Sequence, residues 1–302
     1  MHIVGHKKIL EFLKKSMRGG KISHAYLFYG PENLGKNLAA EYFSSLLLGI
    51  KSERISKLAI HQDFIRITPL LDKKNISINQ IRDLQKSLVT RPFFGSFKVA
   101  IIEDVEKMSL EAANSFLKFL EEPPGHAVLI LITSKIDYLP KTIISRCQLV
   151  KFNPVSLKEV KDFLIKNYSF NQRKAENFAR LSFGRPGLVG RFLDKDSFLS
   201  FQSAAKNFLL LFEKKFFERV EILTKNEDPA LDIWEMTARD LLLSIYGLSP
   251  NLFFCQSEIK KLVLSVSKER LVRFLEGLLL TKKHFNVNIN KKLALENLLL
   301  NI

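Results

Sequence analysis

Gly30-Pro31-Glu32-Asn33-Leu34-Gly35-Lys36-Asn37 is the phosphate-binding loop G-x-x-x-x-G-K-S/T with its last letter changed. In such a loop the glycines let backbone N–H groups curl around phosphates. The lysine neutralises them, and the final hydroxyl holds Mg²⁺. Here Asn37 stands at the hydroxyl position. An amide oxygen can ligate Mg²⁺, but from a longer side chain and beside a competing NH₂ group. The apolar run Ala25-Tyr26-Leu27-Phe28-Tyr29 precedes the loop, and Leu38 to Leu48 follows with helical spacing. Strand, loop and helix therefore come in the order the motif needs. Gly30, Gly35, Lys36 and Asn37 are the candidate nucleotide-binding residues, with Lys36 expected at the β- and γ-phosphates. The amides of Gly35, Lys36 and Asn37 open the helix, so its positive dipole end faces the anion.

Outward from the loop, strand and helix patterns alternate. Ile9 to Met17 reads as an amphipathic helix closed by Gly19-Gly20. Phe64 to Ile67, Lys98 to Ile102, Ala127 to Ile132 and Gln148 to Phe152 read as strands. Ser77 to Leu88 reads as a helix with Ser77 as its N-cap, and Ser109 opens a second helix running to about Glu121. Pro123-Pro124-Gly125 ends the second of these. The alternation predicts a mainly parallel sheet with helices on both sides. After Asn153-Pro154 strand-like runs vanish. Helices are expected over Ser156 to Asn167, Asn171 to Ser182 and Gly187 to Leu193. Longer ones are expected over Phe201 to Phe217, Asp232 to Leu243, Ser257 to Val266, Lys268 to Leu280 and Leu293 to Leu300. The texture divides the chain into residues 1–152, 153–196 and 197–302.

Four further places bear on chemistry. Val99-Ala100-Ile101-Ile102 ends in Glu103-Asp104, the strand end where nucleotide-hydrolysing proteins set a Mg²⁺-coordinating acid beside a water-activating one. The usual order is Asp then Glu. Glu103 is one methylene too long for the first position and Asp104 one too short for the second, and errors of about 1 Å cost roughly a hundredfold in rate. Ser134, after the fourth strand, stands where a hydroxyl could reach a γ-phosphate; Thr-Ser there is also ordinary turn chemistry. Arg146, in Ser145-Arg146-Cys147, offers a planar fork that could stabilise a transferring phosphoryl group in a neighbouring subunit. Arg185, in Gly184-Arg185-Pro186-Gly187, could reach back to a nucleotide or simply sit in a solvated turn. Cys147 reads as a small apolar residue, since no His or Asp lies nearby in sequence.

The chain has 302 residues, 46% of them hydrophobic and 26% charged, which fits a folded protein of two or three domains. No apolar run is long enough to span a bilayer, and the N-terminus lacks the layout of a signal peptide, so a cytoplasmic location and no membrane partner are expected. Only Cys147 and Cys255 are present, too few for a four-cysteine zinc module. A net charge of +16 favours nucleic acid or an acidic partner. Lysines are scattered along the whole chain, so the charge alone does not place a DNA surface.

Taken together, the motifs name a family. His24 to Phe28, Gly30 to Lys36, Ile81 to Leu84, Lys98 to Met108, Ala112 to Pro124, Leu131 to Ser134 and Ile143 to Gln148 resemble, in order, the clamp-loader branch of the AAA+ ATPases. Leu117-Lys118-Phe119-Leu120-Glu121-Glu122-Pro123-Pro124 and Ser145-Arg146-Cys147 are the distinctive blocks. Asn286-Val287-Asn288 to Leu299, and Trp234 with Arg239-Asp240, resemble C-terminal signatures of that branch. The resemblance implies a RecA-like AAA+ domain with a parallel sheet, then a three-helix lid and an all-α C-terminal collar. It implies a hetero-pentamer with gamma/tau-type ATPase and delta subunits that places a sliding clamp on primer-template DNA. Stator-type members of the branch typically do not hydrolyse ATP, but their Ser-Arg-Cys arginine completes a neighbour's site. That matches the altered Asn37 and Glu103-Asp104 beside an intact Arg146. ATP binding without turnover stays open through Lys36, Mg²⁺ is poorly served, and zinc is not expected. An active gamma/tau-type ATPase is the alternative, and it calls for Ser or Thr after Lys36 and Asp before Glu.

Overall fold

The computed structural model describes residues 3–70, 75–214, 218–219, 231–284 and 290–300. The tail segment Asn286-Val287-Asn288 and the end of the helix expected to reach Phe217 lie outside the described residues. The chain packs as two compact units. One takes residues 1–170 and 184–187, the other 171–183 and 188–302.

Five strands form the sheet of the first unit: β1 (Ala25–Tyr29), β2 (Phe64–Ile67), β3 (Lys98–Ile102), β4 (Ala127–Thr133) and β5 (Gln148–Lys151). All pairs are parallel, in the order β2-β3-β4-β1-β5. Every residue of β3 and β4 is buried, which is why both read as continuous apolar runs. Alternation along the strands sorts their side chains onto two faces. Ala25, Leu27, Ala100, Ile102, Leu129 and Leu131 share one core with Ile81, Leu84 and Leu88 of α3 (Ile78–Val89) and Phe116 and Leu120 of α4 (Leu110–Glu121). Tyr26, Phe28, Val99, Ile101, Val128 and Ile130 share the other with Leu13 of α1 (Lys7–Arg18) and Ala39, Ala40 and Phe43 of α2 (Lys36–Leu47). The helices stand on both sides of a parallel sheet, as the alternation predicts.

Ser77 caps as read from the sequence, and Ser109 also caps. Ser77 and Gln80 form a reciprocal capping box at α3, and the Ser109 hydroxyl accepts the Ala112 N–H at 3.2 Å. Ser52–Ile60, where no element was expected, coils as a 3-10 helix, and Leu58 enters the core. The short α5 (Lys141–Ile144) leads into β5, and α6 (Leu157–Tyr168) follows it.

The second unit is helical: α7 (Gln172–Leu181), most of α8 (Pro186–Leu193), α9 (Lys195–Glu213), α10 (Leu231–Ile245), α11 (Gln256–Val263), α12 (Lys268–His284) and α13 (Lys291–Leu299). Its core gathers Phe208, Phe212, Trp234 and Phe274, with Phe208 5.5 Å from Phe274 between ring centroids. Helix α9 starts ahead of the expected Phe201 because Asp194 caps it, accepting the Ser197 N–H at 2.9 Å. Asp240 is fully buried and takes the N–H groups of Asn251 and Leu252 at 2.8 Å each. Burial outweighs those donors and raises its pKa.

Candidate functional site

The loop of Gly30 to Asn37 joins β1 to α2. Gly30 has φ +138°, and a Cβ there would meet the Phe152 carbonyl oxygen at 2.2 Å, so only glycine fits. Gly35, at φ 85°, caps α2 in the left-handed conformation. Lys36 is 6% exposed, and its Nζ donates to the carbonyls of Gly30 and Pro31 at 2.7 Å each. Burial lowers its pKa to about 8, opposed by the nearby charges of Glu32, Glu106 and Asp104. The ammonium is thus folded back onto the loop's own carbonyls, beside amides aimed along a helix dipole.

Two residues outside the motif fasten the loop. The His6 imidazole donates from Nε2 to the Leu34 carbonyl oxygen at 3.1 Å. Burial lowers the His6 pKa. The Gly187 N–H donates to the Asn33 carbonyl oxygen at 2.9 Å, and a Cβ on Gly187 would press on Asn33 at 3.0–3.1 Å. That bond brings the backbone next to Arg185 alongside the loop, within the first unit. Sequence reasoning missed His6, because a lone histidine before a helix carries no signal for a contact 28 residues away.

The two acids after β3 turn to different partners. Glu103 Oε2 accepts from Asn37 Nδ2 at 2.8 Å, and Glu103 Oε1 lies 3.6 Å from Arg66 Nε. Arg66 also holds Glu41 at 2.6 Å. Burial raises the Glu103 pKa, with Arg66 and the Asn37 bond working against it. Asp104 takes φ 48° and pairs with Lys107 at 2.8 Å. Mg²⁺, which this kind of loop ordinarily implies, takes oxygen ligands in near-octahedral geometry. An amide N–H facing a carboxylate already shared with a guanidinium does not fit it.

Ser134 follows Thr133, which the parallel register sets beside Tyr29, where the loop begins. The Ser134 hydroxyl lies 3.4 Å from Glu106 Oε1, while the buried Thr133 hydroxyl donates to Glu106 Oε2 at 2.7 Å. Glu106 is a second residue the sequence reading passed over.

Arg146 lies between α5 and β5. Its fork donates to the Thr142 carbonyl at 3.0 Å and to Glu121 Oε1 at 2.8 Å, with the side chain 35% exposed. The parallel register sets Gln148 beside Tyr26 and Lys151 beside Tyr29. Arg146 therefore precedes the start of β1, while the phosphate loop follows its end. Tyr26 to Tyr29 alone is three strand steps, so at about 3.3 Å per residue Arg146 and the loop lie more than roughly 10 Å apart along the strand. The neighbouring Cys147 thiol is pushed up to about 12 by burial and is inert as a nucleophile.

Among the described residues no helix is long and apolar enough to cross a membrane.

The comparisons agree with this geometry. The family described as DNA polymerase III, delta subunit, matches residues 5–156. DNA polymerase III subunit delta′ of Bacillus subtilis (strain 168) is 28% identical over 319 residues, covering 97% of this chain and 94% of its own length. The delta′ subunit of Pseudomonas aeruginosa is 37% identical over 145 residues, covering 44% of each chain. The tau subunit of B. subtilis is 33% identical over 175 residues. The chain spans less than half the length of several of these curated relatives, 30% of tau and 44% of the Pseudomonas protein. A gamma subunit-related protein of Thermotoga maritima, solved by crystallography, shares the fold, with a TM-score of 0.52, 23% identity and 97% of both chains covered. Sheet order, phosphate loop and the match across half the sequence lead to one conclusion: the chain belongs to the DNA polymerase III delta-subunit family.

Proposed function

We propose that this chain is a delta-prime-type stator of a bacterial clamp loader, working in the cytoplasm. It joins gamma/tau-type ATPase and delta subunits in a hetero-pentamer that sets a sliding clamp on primer-template DNA. It turns over little or no ATP itself and lends Arg146 to a neighbour's ATP site. In this reading residues 1–152 form the ATPase-type domain, 153–196 a lid and 197–302 the collar that carries assembly.

One observation carries the reading. Arg146 is at the opposite end of β1 from its own phosphate loop, so its guanidinium does not serve that loop in cis. Supplied in trans to a phosphoryl-transfer site, such a group is worth about 10³–10⁵ in rate. The Asn37–Glu103 bond supports the other half, because hydrolysis needs both positions free to organise metal and water.

The test is ATPase and clamp loading by complexes reconstituted with wild-type chain or with Arg146→Ala. Assembly is expected to be normal, total ATP turnover to fall in part, and clamp loading to fall further. Arg146→Lys is expected to rescue poorly, since an ammonium lacks the planar fork. A mutant complex that assembles, hydrolyses and loads at wild-type rates overturns the proposal. The isolated chain is expected to stay well below about 1 turnover per second, the low end of ordinary enzyme rates.

A further inference from the structure

A phosphate loop of the usual kind grips its nucleotide partly through Mg²⁺, held by the loop hydroxyl and the acid of the neighbouring strand end and bridging the β- and γ-phosphates. In this chain those two positions meet each other directly, Asn37 Nδ2 donating to Glu103 Oε2 at 2.8 Å. Chemistry fixes the direction of that bond. An ionised carboxylate only accepts, so the amide must present its NH₂ group and turn its carbonyl oxygen away. The other carboxylate oxygen lies 3.6 Å from Arg66 Nε, and Arg66 is anchored in turn by Glu41 at 2.6 Å. A cation entering between Asn37 and Glu103 meets hydrogens and a guanidinium, where Mg²⁺ needs oxygen at about 2.0–2.1 Å. The charge that a polyphosphate needs is supplied elsewhere, by the buried Lys36 and the loop amides.

We propose that this site takes a nucleoside di- or triphosphate as the metal-free anion. The Asn37–Glu103 bond closes the place of the metal, and Lys36 with the amides of Gly35, Lys36 and Asn37 serves as the counter-charge. The inference rests on the loop being a nucleotide site. It adds that Mg²⁺ does not strengthen the binding. Because Mg²⁺ sequesters free nucleotide in solution, the cation is expected to weaken apparent binding.

The experiment is calorimetric titration of ATP into the full chain, once with EDTA and once with millimolar Mg²⁺. The apparent dissociation constant is expected to be about tenfold or more smaller in EDTA, a difference of roughly 1.4 kcal/mol. Binding as tight or tighter with Mg²⁺ overturns the inference while leaving the nucleotide reading intact. No binding in either buffer overturns the nucleotide reading and this inference with it. Asn37 is exposed, so Asn37→Thr should fold, and its melting temperature checks that. The variant restores the hydroxyl and frees Glu103, so it is expected to gain affinity by about fivefold or more when Mg²⁺ is added. A folded variant weakened by Mg²⁺ as much as the wild type shows that the Asn37 amide does not exclude the metal.

Discussion

Lys36 couples the phosphate loop to pH. Its folded pKa of about 8 lies below the ordinary value of 10.5, with burial the main cause. The folded chain therefore gives up this proton between about 8 and 10.5 while the unfolded chain keeps it, so the lysine's contribution to stability rises with pH across that window. Binding has the opposite sign. A bound polyphosphate favours the charged form, so ATP is expected to bind with uptake of up to about half a proton near pH 8, and more weakly as pH rises further. Titrations in two buffers of different ionisation enthalpy measure this, and identical heats in both would sink it. At this scale the motif was legible in the sequence because its spacing is local. The partners were not. Asn37 meets Glu103 across 66 positions, His6 meets Leu34 across 28, and Arg146 meets Glu121 across 25. Only the fold brings such pairs together.

Among the elements, the turn into β3 shows how a buried charge shapes a surface. Asp63 is fully buried, and its two carboxylate oxygens take the N–H groups of Phe93 and Phe94 at 2.8 and 2.7 Å. Pinned by their backbone, both rings stay outside, 68% and 61% exposed. Asp63→Ala is expected to cost about 3 kcal/mol, as two hydrogen bonds to a charged acceptor are lost and two donors are orphaned. Asp63→Asn, with one acceptor oxygen, is expected to cost about half of that. Urea unfolding followed by far-UV circular dichroism gives the comparison, and a loss under about 1 kcal/mol for Ala would show that the clasp is incidental. Strands and one cap could be read from sequence here: β2 and β3 have the bounds that their apolar runs predict, and Ser77 caps as expected. The start of α9 could not, because apolar spacing points to Phe201 whereas the cap at Asp194 sets the first turn.

For the whole molecule, the single Trp234 lies in the helical core with Phe208 and Phe274. The sheet unit has two cores of its own. Tryptophan fluorescence therefore follows the helical unit alone, while far-UV dichroism follows both. The two urea curves are expected to separate. Superimposed curves would mean that the units unfold as one. The sequence located the end of the strand-rich region but not the grouping of the short helices. Leu181, Leu188 and Phe192 join the same core as Phe201 and Phe208, and helical periodicity marks an apolar face without saying which core receives it.

The four residues 184–187 belong with the sheet unit although the chain on either side of them belongs to the helical one. They are held there by the Val155 N–H on the Gly184 carbonyl at 2.7 Å and the Gly187 N–H on the Asn33 carbonyl at 2.9 Å. The order of the gene and the order of the folded parts therefore differ. A fragment ending near residue 170, the natural choice for cloning the sheet alone, leaves this strap behind and with it one of the two ties on the phosphate loop. Nucleotide affinity measured on such a fragment is expected to be lower than on the full chain. In descent the consequence is a linkage: no exchange of one contiguous coding segment can transplant the loop together with its strap unless the intervening helix α7 travels too.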